Sequence, residues 1–337
     1  MFSSNLFQEI LINPPHNGAN DLYVVSGYAS AAMTFRHVQK LRTDGININL
    51  HLIVGMTARG GLSQANHRGF QKLVRHDFVN AFECSYILAP PPVHSKVYAW
   101  FDGKKPIAGF MGSANYSQNA FDEKQRELMT TCDAEQGLDY FQSLTGESVS
   151  CETQEAEDFI QAFKVRYHAR QKRKQAQPYN VTFSKSMLAI SESDHVRVSF
   201  VSKGNIIPTR SGLNWGQRPG REQNQAYIPL KADVYNTDFF PDVAYSFTVE
   251  ADDGEVLICA RAQDNGKAIH TPENNSLIGK YFRKRLGVPE GELVTMDDFL
   301  KYGRTYVDFY KIDEENYYMD FSSLIRLQTP DFWRPAQ

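Results

Sequence analysis

HSKVYAWFDGKKPIAGFMGSAN, residues 94–115, is the stretch from which the fold of the first half of the chain can be worked out. It contains two runs that favour β-strands, SKVYAWF and PIAGFMGSA, separated by turn residues. Residues two apart on a strand face the same side of a sheet, so we expect His94 and Lys96 to present their side chains together. An imidazole beside an ammonium suits phosphoryl transfer, because the ring can attack phosphorus while the cation neutralises charge on the oxygens.

The residues around this stretch alternate between strand-like and helix-like segments. Between residues 22 and 146 the strand-like runs are LYVVSGYAS, INLHLIVGM, FECSYIL and ELMTTC, in addition to the two above. Helical periodicity is found near residues 31–42, 64–77 and 134–144. This alternation predicts an α/β domain, in which a mixed sheet is covered by helices on both faces.

The motif formed by His94, Lys96, Gly112, Ser113 and Asn115 resembles the signature of the phospholipase D superfamily. That signature is His-x-Lys, a strand and a turn, and a second strand ending in Gly-Ser-x-Asn. The resemblance implies that His94 is a nucleophile that forms a covalent phosphohistidine. It also implies that Lys96 and Asn115 hold the non-bridging phosphoryl oxygens and that Ser113 adds a hydroxyl.

One position departs from the fuller family motif, which has an aspartate where this chain has Phe101, with Asp102 next. Bacterial nucleases of the superfamily often use instead a glutamate on the following strand. Glu127 in QRELMTT is the best match and Glu123 is the alternative, although Glu127 is also consistent with an ordinary charge at a strand edge. A carboxylate beside His94 would orient its ring and select the tautomer with a free attacking nitrogen.

The chain contains a single copy of this motif. Because the superfamily uses two histidines, one to attack and one to protonate the leaving oxygen, the resemblance implies a homodimer formed through the N-terminal domain. His94 of each subunit would then face its counterpart across a two-fold axis.

A change in sequence pattern near residue 152 separates the first predicted domain from the second. Residues 152–174 are predicted to form one helix, whose second half, KVRYHARQKRK, carries six Lys or Arg and no acid. Such a run is consistent with a solvated linker or with contact to DNA phosphates, and the sequence does not distinguish them. We therefore predict a nuclease domain over residues 1–151, a basic helical linker over 152–179 and a recognition domain over 180–337.

The second domain is predicted to be a β-rich barrel or sandwich. Its strand-like runs are HVRVSFV, AYSFTVEA, EVLICARAQ and TYVDFYKI, with one embedded helix near residues 277–286. Two polar segments interrupt them. IPTRSGLNWGQRPGREQNQAY spans residues 207–227, and DNGKAIHTPENNS follows the strand EVLICARAQ. Arg, Asn and Gln pair with base edges and phosphates, so each segment is either a DNA-reading arm or an ordinary polar loop.

Together these features resemble the DNA-binding pseudobarrel of plant B-three-type transcription factors and of restriction enzyme effector domains. A phospholipase D-like nuclease joined to such a barrel is the layout of the NgoFVII family of type II restriction endonucleases. Some members of that family work with a separate ATPase, which would be a further partner beside double-stranded DNA. By this resemblance one arm carries Arg210, Asn214, Trp215, Gln217 and Arg218, and the other carries Asn265, Lys267 and His270.

Composition bounds these readings. The 337 residues exceed the usual size of a single core, and 42% hydrophobic with 22% charged residues is typical of an ordered globular protein. The net charge of −3 does not itself favour nucleic acid. With no signal peptide or membrane span in the sequence, we expect a cytoplasmic protein. Cys84, Cys132, Cys151 and Cys259 lack paired spacing and are interpreted as reduced thiols, and no cofactor or metal site is predicted.

The leading hypothesis is a homodimeric, metal-independent type II restriction endonuclease that cuts duplex DNA at or near a short specific sequence. A phospholipase D acting on phospholipids is the alternative enzyme, and the single motif and the Arg- and Asn-rich second half argue against it. A third alternative is a sequence-specific DNA-binding regulator whose nuclease domain is inert.

Overall fold

The computed structural model describes residues 1–60, 62–122, 124–160, 195–202, 204 and 206–323, with the backbone alone for residues 59 and 60. The chain divides into two compact units, Met1–Ala189 and Ile190–Gln337. The predicted linker lies mostly outside the described residues, and its described part is helical over 154–160.

The first unit is built on a seven-stranded sheet with the order β6-β5-β4-β1-β2-β3-β7. β1 pairs in parallel with β2, and β2 in parallel with β3, whereas β4, β5, β6 and β7 join antiparallel. The sheet is therefore mixed, as predicted. Its strands are β1 Asp21–Ser26, β2 Asn49–Val54, β3 Phe82–Ile87, β4 Lys96–Asp102, β5 Lys105–Gly112, β6 Met129–Cys132 and β7 Ser148–Ser150.

Helices cover both faces of this sheet. On one face, Phe141 and Leu144 of helix Ala134–Thr145 join the core cluster of Val25, Ile53 and Ile87. On the other, helices Ala31–Thr43 and Gln64–Lys72 place aromatic side chains against β3 and β4. Besides the helical residues 154–160, the described residues of this unit form helical segments at Phe7–Ile12, Asn13–His16, Thr57–Gly60, Leu73–Asp77 and Gln118–Phe121.

Local sequence explains where the longer helices begin. Ser30 accepts a hydrogen bond from the Met33 amide, and Ser63 accepts one from the Asn66 amide, at 3.1 Å each. Such side-chain acceptors satisfy amides that have no partner within the helix. The Asp133 carboxylate does the same for helix Ala134–Thr145 and also suits the positive end of the helix dipole.

The second unit is a β-rich pseudobarrel built on one seven-stranded sheet, in the order β8-β13-β14-β10-β11-β12-β9. Most neighbours are antiparallel, and β10 and β14 pair in parallel. The strands are β8 His195–Ser199, β9 Ile228–Pro229, β10 Ser246–Ala251, β11 Val256–Ala262, β12 Ala268–His270, β13 Tyr306–Lys311 and β14 Asn316–Asp320.

The helical content of this unit exceeds the single helix predicted. The expected one is present over Ser276–Leu286, and a second, Met296–Tyr302, begins with a capping box between Thr295 and Asp298. Short helical segments occupy Gly212–Gln217 and Ala232–Tyr235. Phe200, Phe282, Phe299 and Phe321 pack against one another in the core beneath them.

The four cysteines are free thiols, and three of them are buried. Within the described residues, no helix combines the length and the apolar character that crossing a membrane requires.

Candidate active site and recognition arms

His94 lies in the segment that enters β4, and its side chain is exposed. The strand itself begins two residues later at Lys96, which pairs in register with Ser26 of β1. The spacing had suggested that His94 and Lys96 lie on the same strand. In the structure only Lys96 belongs to β4. Instead the Lys96 side chain, only 5% exposed, donates from Nζ to the main-chain oxygen of His94 at 2.6 Å. This hydrogen bond fixes the Lys96 ammonium against the main chain of His94.

The electrostatic setting of Lys96 is defined by two opposing effects. Burial lowers the pKa of its ammonium, and the negative charge of Glu127 acts in the opposite direction. The charge of Glu127 therefore favours the charged form of Lys96.

Ser113 connects the end of β5 to the segment that leads into β6. Its hydroxyl donates to the Glu127 carboxylate and accepts from the Leu128 amide at 3.0 Å, and its own amide donates to the Leu128 carbonyl at 3.0 Å. Ser113 and Glu127 are therefore joined by a hydrogen bond, and the Glu127 charge acts on Lys96. The alternative carboxylate, Glu123, lies outside the described residues.

The side-chain amide of Asn115 is oriented by the main chain. Its Oδ1 accepts a hydrogen bond from the Tyr28 amide at 3.1 Å. With the oxygen held in this way, the amino group is directed to the other side, where it can act as a donor to an anion. The Tyr98 hydroxyl donates to the neighbouring Ala114 carbonyl at 2.8 Å and fixes the loop from below.

Sequence reasoning missed a third segment of this site, Ser26-Gly27-Tyr28, which begins at the last residue of β1. The fully buried Ser26 hydroxyl donates to the Tyr28 carbonyl at 2.5 Å and accepts from the Tyr116 amide at 2.9 Å. It thereby ties this segment to the Gly-Ser-x-Asn loop. A signal was available, because ligands of open α/β sheets bind outside the carboxyl ends of strands, and Ser-Gly ends a predicted strand.

Gly27 is the point where His94 and Asn115 meet. A Cβ atom at this position would lie 2.9 Å from His94 Cδ2 and 3.4 Å from Asn115 Oδ1. A larger residue would therefore push the imidazole away from its present position. The neighbouring Tyr28 ring is 40% exposed and meets the His94 ring edge-on, with centroids 6.1 Å apart.

This edge of the sheet thus gathers an exposed imidazole, a buried ammonium, an oriented amide and a hydroxyl bonded to a carboxylate. The set contains a nucleophile and fixed donors for developing negative charge, which are the components of metal-free phosphoryl transfer. Across the residues that the structure describes, no cluster of three or more His, Cys, Asp or Glu is arranged to hold a metal ion.

In the second unit, the predicted first arm presents two exposed arginines, Arg210 and Arg218. They are linked, because Arg218 Nε donates to the Arg210 carbonyl at 2.7 Å. Trp215 is partly buried, and the Arg221 guanidinium, which the sequence analysis did not single out, lies 3.7 Å from the centre of its ring. Gln217 donates to the Gly291 carbonyl at 2.8 Å.

Asn214 is placed differently from the other predicted arm residues. Its side chain is 0% exposed. The amide donates to the carbonyls of Pro208 and Val294 at 3.0 and 2.7 Å and accepts from the Val294 amide at 2.9 Å. Both ends of the amide are therefore bonded within the protein, so Asn214 anchors the arm rather than facing outward from it.

The predicted second arm, residues 264–276, comprises most of the loop between β11 and β12, β12 itself and the segment that leads into helix Ser276–Leu286. Asn265 and Lys267 are exposed on it, whereas His270 is partly buried at the end of β12. The His270 ring bonds through Nδ1 to Asn275 Oδ1 at 2.7 Å. Burial lowers the pKa of His270, and the hydrogen bond to Asn275 opposes that shift.

Comparison with known families finds two matches along the chain. Residues 4–158 match the model described as the NgoFVII restriction endonuclease N-terminal PLD domain. Residues 188–313 match the NgoFVII C-terminal B3-like DNA-binding domain. The two matches together cover most of the chain. Comparison with curated proteins found no match.

Two proteins from bacteria are among the similar solved structures. NucT from Helicobacter pylori is 19% identical, covers 42% of this chain and 87% of its own, and has a TM-score of 0.31. The phospholipase D family member Nuc from Salmonella typhimurium is 14% identical with the same coverage and a TM-score of 0.32.

Proposed function

Because this chain belongs to the NgoFVII restriction endonuclease family, whose members join a PLD nuclease domain to a DNA-binding domain, we propose that it cuts duplex DNA at or near a short specific sequence. Membership of this family makes the chain a phosphodiesterase that acts on DNA. The observation that carries the finer proposal is the gathering of His94 and Asn115 against Gly27, beside the buried Lys96.

His94 is the proposed nucleophile. A ring nitrogen attacks phosphorus, a phosphorus–nitrogen bond forms, and the bond to one ester oxygen breaks. The departing oxygen takes a proton from a second imidazole, so one fragment of the cut strand leaves with a hydroxyl end, while the phosphate of the other fragment stays bonded to His94. Water then attacks the phosphohistidine and gives up its proton to the second imidazole, the phosphorus–nitrogen bond breaks, and the second fragment leaves His94 with a terminal phosphate.

Lys96 and Asn115 are proposed to hold the non-bridging oxygens. Donors that are fixed before the reaction stabilise developing charge without reorganising, and both side chains are held by hydrogen bonds to the main chain. Glu127, which accepts a hydrogen bond from Ser113, is proposed to stabilise the charged form of Lys96. These groups supply nucleophile and charge stabilisation from the protein, so the proposed reaction requires no metal ion.

The second imidazole is proposed to be His94 of another subunit, because the chain carries the motif once. The N-terminal domain then forms a two-fold dimer with one shared site. Hybrid dimers of wild-type and His94→Ala chains test this arrangement. Their single-turnover rate should fall nearly to that of the double mutant, and hybrids that keep half the wild-type rate would show that each chain works alone.

The experiment that tests the function as a whole is incubation of the full chain with plasmid DNA in excess EDTA. Discrete fragments are expected, since sequence-specific cutting without metal gives a fixed set of ends. Retention of DNA without cutting would support the inert regulator, and a strict Mg²⁺ requirement would refute the metal-free chemistry. Hydrolysis of phosphatidylcholine vesicles with intact plasmid would support the phospholipase.

The proposed readers of DNA are the exposed residues of the two arms. Arg210 and Arg218 on the first arm and Asn265 and Lys267 on the second are the predicted contacts that the structure leaves exposed. Trp215, Gln217 and His270 are partly buried and would contribute by packing and orientation. The proposal omits Asn214, because its amide is fully engaged within the protein.

A further inference from the structure

The loop between β11 and β12 contains a backbone conformation that its sequence does not favour. Gln263 has φ 65° and ψ 171°, a region of the Ramachandran map that is essentially restricted to glycine. Asn265 also has a positive φ, 61°, which asparagine tolerates better than most residues. A glycine would suit the backbone at position 263, yet the chain carries a long amide side chain there, and that side chain is exposed.

A buried arginine holds the loop in this shape. Arg261, the penultimate residue of β11, is 6% exposed, and its guanidinium donates to the carbonyls of Gly266 at 2.9 Å and Asn265 at 3.0 Å. It also donates to the carbonyl of Tyr235 at 2.6 Å, outside the loop. The planar fork of donors therefore joins the loop to a neighbouring segment and offsets the unfavourable backbone of Gln263.

The fit between Arg261 and the loop is close. A Cβ atom at Gly266 would lie 2.5 Å from Arg261 Nε, so only glycine allows the guanidinium to reach the main chain here. Strained residues persist where the surrounding structure holds them, and they concentrate at functional sites. The strain, the buried arginine and the exposed amides together indicate a loop that is shaped before it binds.

We propose that Gln263 is a specificity-determining residue that contacts a base edge together with Asn265, and that Arg261 is the positioning residue that presents both. This inference rests on the proposed function, since it assigns the reading of DNA to particular side chains. A glutamine or asparagine amide can donate to N7 and accept from N6 of adenine at the same time, so an A·T pair in the major groove is the matching chemistry.

The charges on the loop agree with that orientation. Lys267 is exposed and can contact a phosphate, which would set the register of the loop on the duplex. The exposed Asp264 between the two amides is repelled by phosphates, so it favours a place over a base, where a carboxylate accepts from a cytosine amino group.

The decisive variant is Gln263→Gly, because it separates a reading role from a structural one. Glycine relieves the backbone at this position, so thermal stability should be unchanged or higher. The sequence preference should nevertheless relax. The full chain is incubated with a pool of duplexes whose central segment is random, and the bound duplexes are sequenced.

For Gln263→Gly we expect discrimination at one A·T pair to fall roughly tenfold to a hundredfold, with nearly unchanged affinity for arbitrary duplexes. Asn80→Gly is the matched control, since Asn80 is also an exposed non-glycine residue with positive φ, 61°, in the first unit. It should select the same sequences as the wild type. If Gln263→Gly also selects them with equal stringency, the proposed role of Gln263 is wrong.

Arg261→Lys tests the positioning role. Lysine keeps the charge but lacks the fork, so we expect discrimination to relax at the pairs contacted by Gln263 and Asn265 and hydrogen exchange of the loop amides to accelerate. Faster exchange with unaltered discrimination would overturn the positioning role. A wild-type chain that selects no sequence from the pool refutes the proposed function itself, whereas wild-type selection with an unaltered Gln263→Gly variant refutes only this inference.

Discussion

The two units hold their candidate functional groups in different ways. In the first, the side chains are fixed by hydrogen bonds at strand ends, and the Lys96 ammonium and the Asn115 amide both bond to main-chain atoms. In the second, the exposed candidates lie on loops, and buried arginines fix the main chain of those loops. Chemistry requires reacting groups set relative to one another, whereas reading a groove requires a loop of fixed shape with free side chains.

The arginine beneath the first arm illustrates the second strategy. Arg283 is fully buried, and its guanidinium donates to the carbonyls of Leu213 and Gln223, 3.2 and 3.3 Å away, and to that of Glu292 at 2.9 Å. Arg261 does the same beneath the second arm. Each arm is thus tied to its unit through main-chain carbonyls, and its side chains can differ without loss of that support.

The largest effect is expected from His94→Ala, which separates the two units most sharply. Cleavage should fall by about ten thousandfold or more because the nucleophile is removed. Duplex binding should be unchanged, since the recognition arms are in the other unit. Single-turnover cleavage and gel retention measure the two properties, and a variant that cuts near the wild-type rate would contradict the mechanism.

For Lys96→Ala we expect a loss of about a hundredfold to a thousandfold in the cleavage rate, because the phosphoryl charge loses a fixed cation. Lys104→Ala is the control, since Lys104 is exposed in the turn between β4 and β5. It removes the same charge from the same domain and should leave the rate unaltered. If Lys96→Ala cleaves as fast as Lys104→Ala, Lys96 has no role in the reaction.

Acid should weaken the first unit through His37. This fully buried ring bonds to the Tyr116 hydroxyl at 2.8 Å and the Leu11 carbonyl at 3.0 Å, and burial lowers its pKa to about 4. The unfolded chain binds this proton near pH 6.5, so stability is retained above that pH and lost as the pH falls toward 4. The loss should reach about 3 kcal/mol.

Hydrogen exchange of the β1 and β4 amides at pH 7 and pH 4.5 measures this effect in the first unit. The His37→Gln variant lacks the titrating group, so its pH dependence should be flatter. In the second unit, burial also lowers the pKa of His270, so the stability of that unit should fall in the same direction as the pH is lowered. An equally steep dependence in His37→Gln would rule out His37 as its source.

Asn214→Ala would sharpen the distinction within the first arm between support and reading. Removing a buried amide that makes three hydrogen bonds should lower the free energy of unfolding by about 2 kcal/mol, because the groups around Val294 lose their partners. The folded fraction should select the same DNA sequence as the wild type. Arg210→Ala, at an exposed position, should leave the melting temperature unchanged. If the melting temperatures of Asn214→Ala and Arg210→Ala fall by similar amounts, the two residues do not differ in their structural role.

The smallest effect is expected from Arg218→Ala. If Arg218 contacts one phosphate, the slope of log affinity against log salt concentration should become shallower by about 0.9. Lys301→Ala serves as the control, since Lys301 is exposed on helix Met296–Tyr302 of the same unit. An unchanged slope for Arg218→Ala would place that arginine away from the DNA backbone.

The sequence predicted the first unit well because its signals are local. Each strand of the sheet up to β6 was expected from an apolar run, and the candidate site from residues close together around one turn. Ser26 and Gly27 were not predicted, because they precede His94 by almost seventy residues and only the pairing of β1 with β4 brings them close. Local patterns carry little information about which strands become neighbours.

The second unit was predicted less completely for the same reason. β14 was missed, and its parallel pairing with β10 joins Thr248 to Asn316, residues that are remote in sequence. Composition also cannot separate a buried amide from an exposed one, so Asn214 was grouped with Arg218. The structure distinguishes them, because one side chain is enclosed and the other is not.

The central position of β14 has a consequence for the order in which the protein matures during synthesis. All strands of the first sheet precede residue 151, whereas the second sheet cannot join β13 to β10 until Asn316–Asp320 leaves the ribosome. At about 5 to 20 residues per second, the nuclease fold precedes its reader by roughly ten to thirty seconds. In the proposed arrangement, in which a second subunit completes the site, the first unit would stay inactive during that interval until another chain joins it.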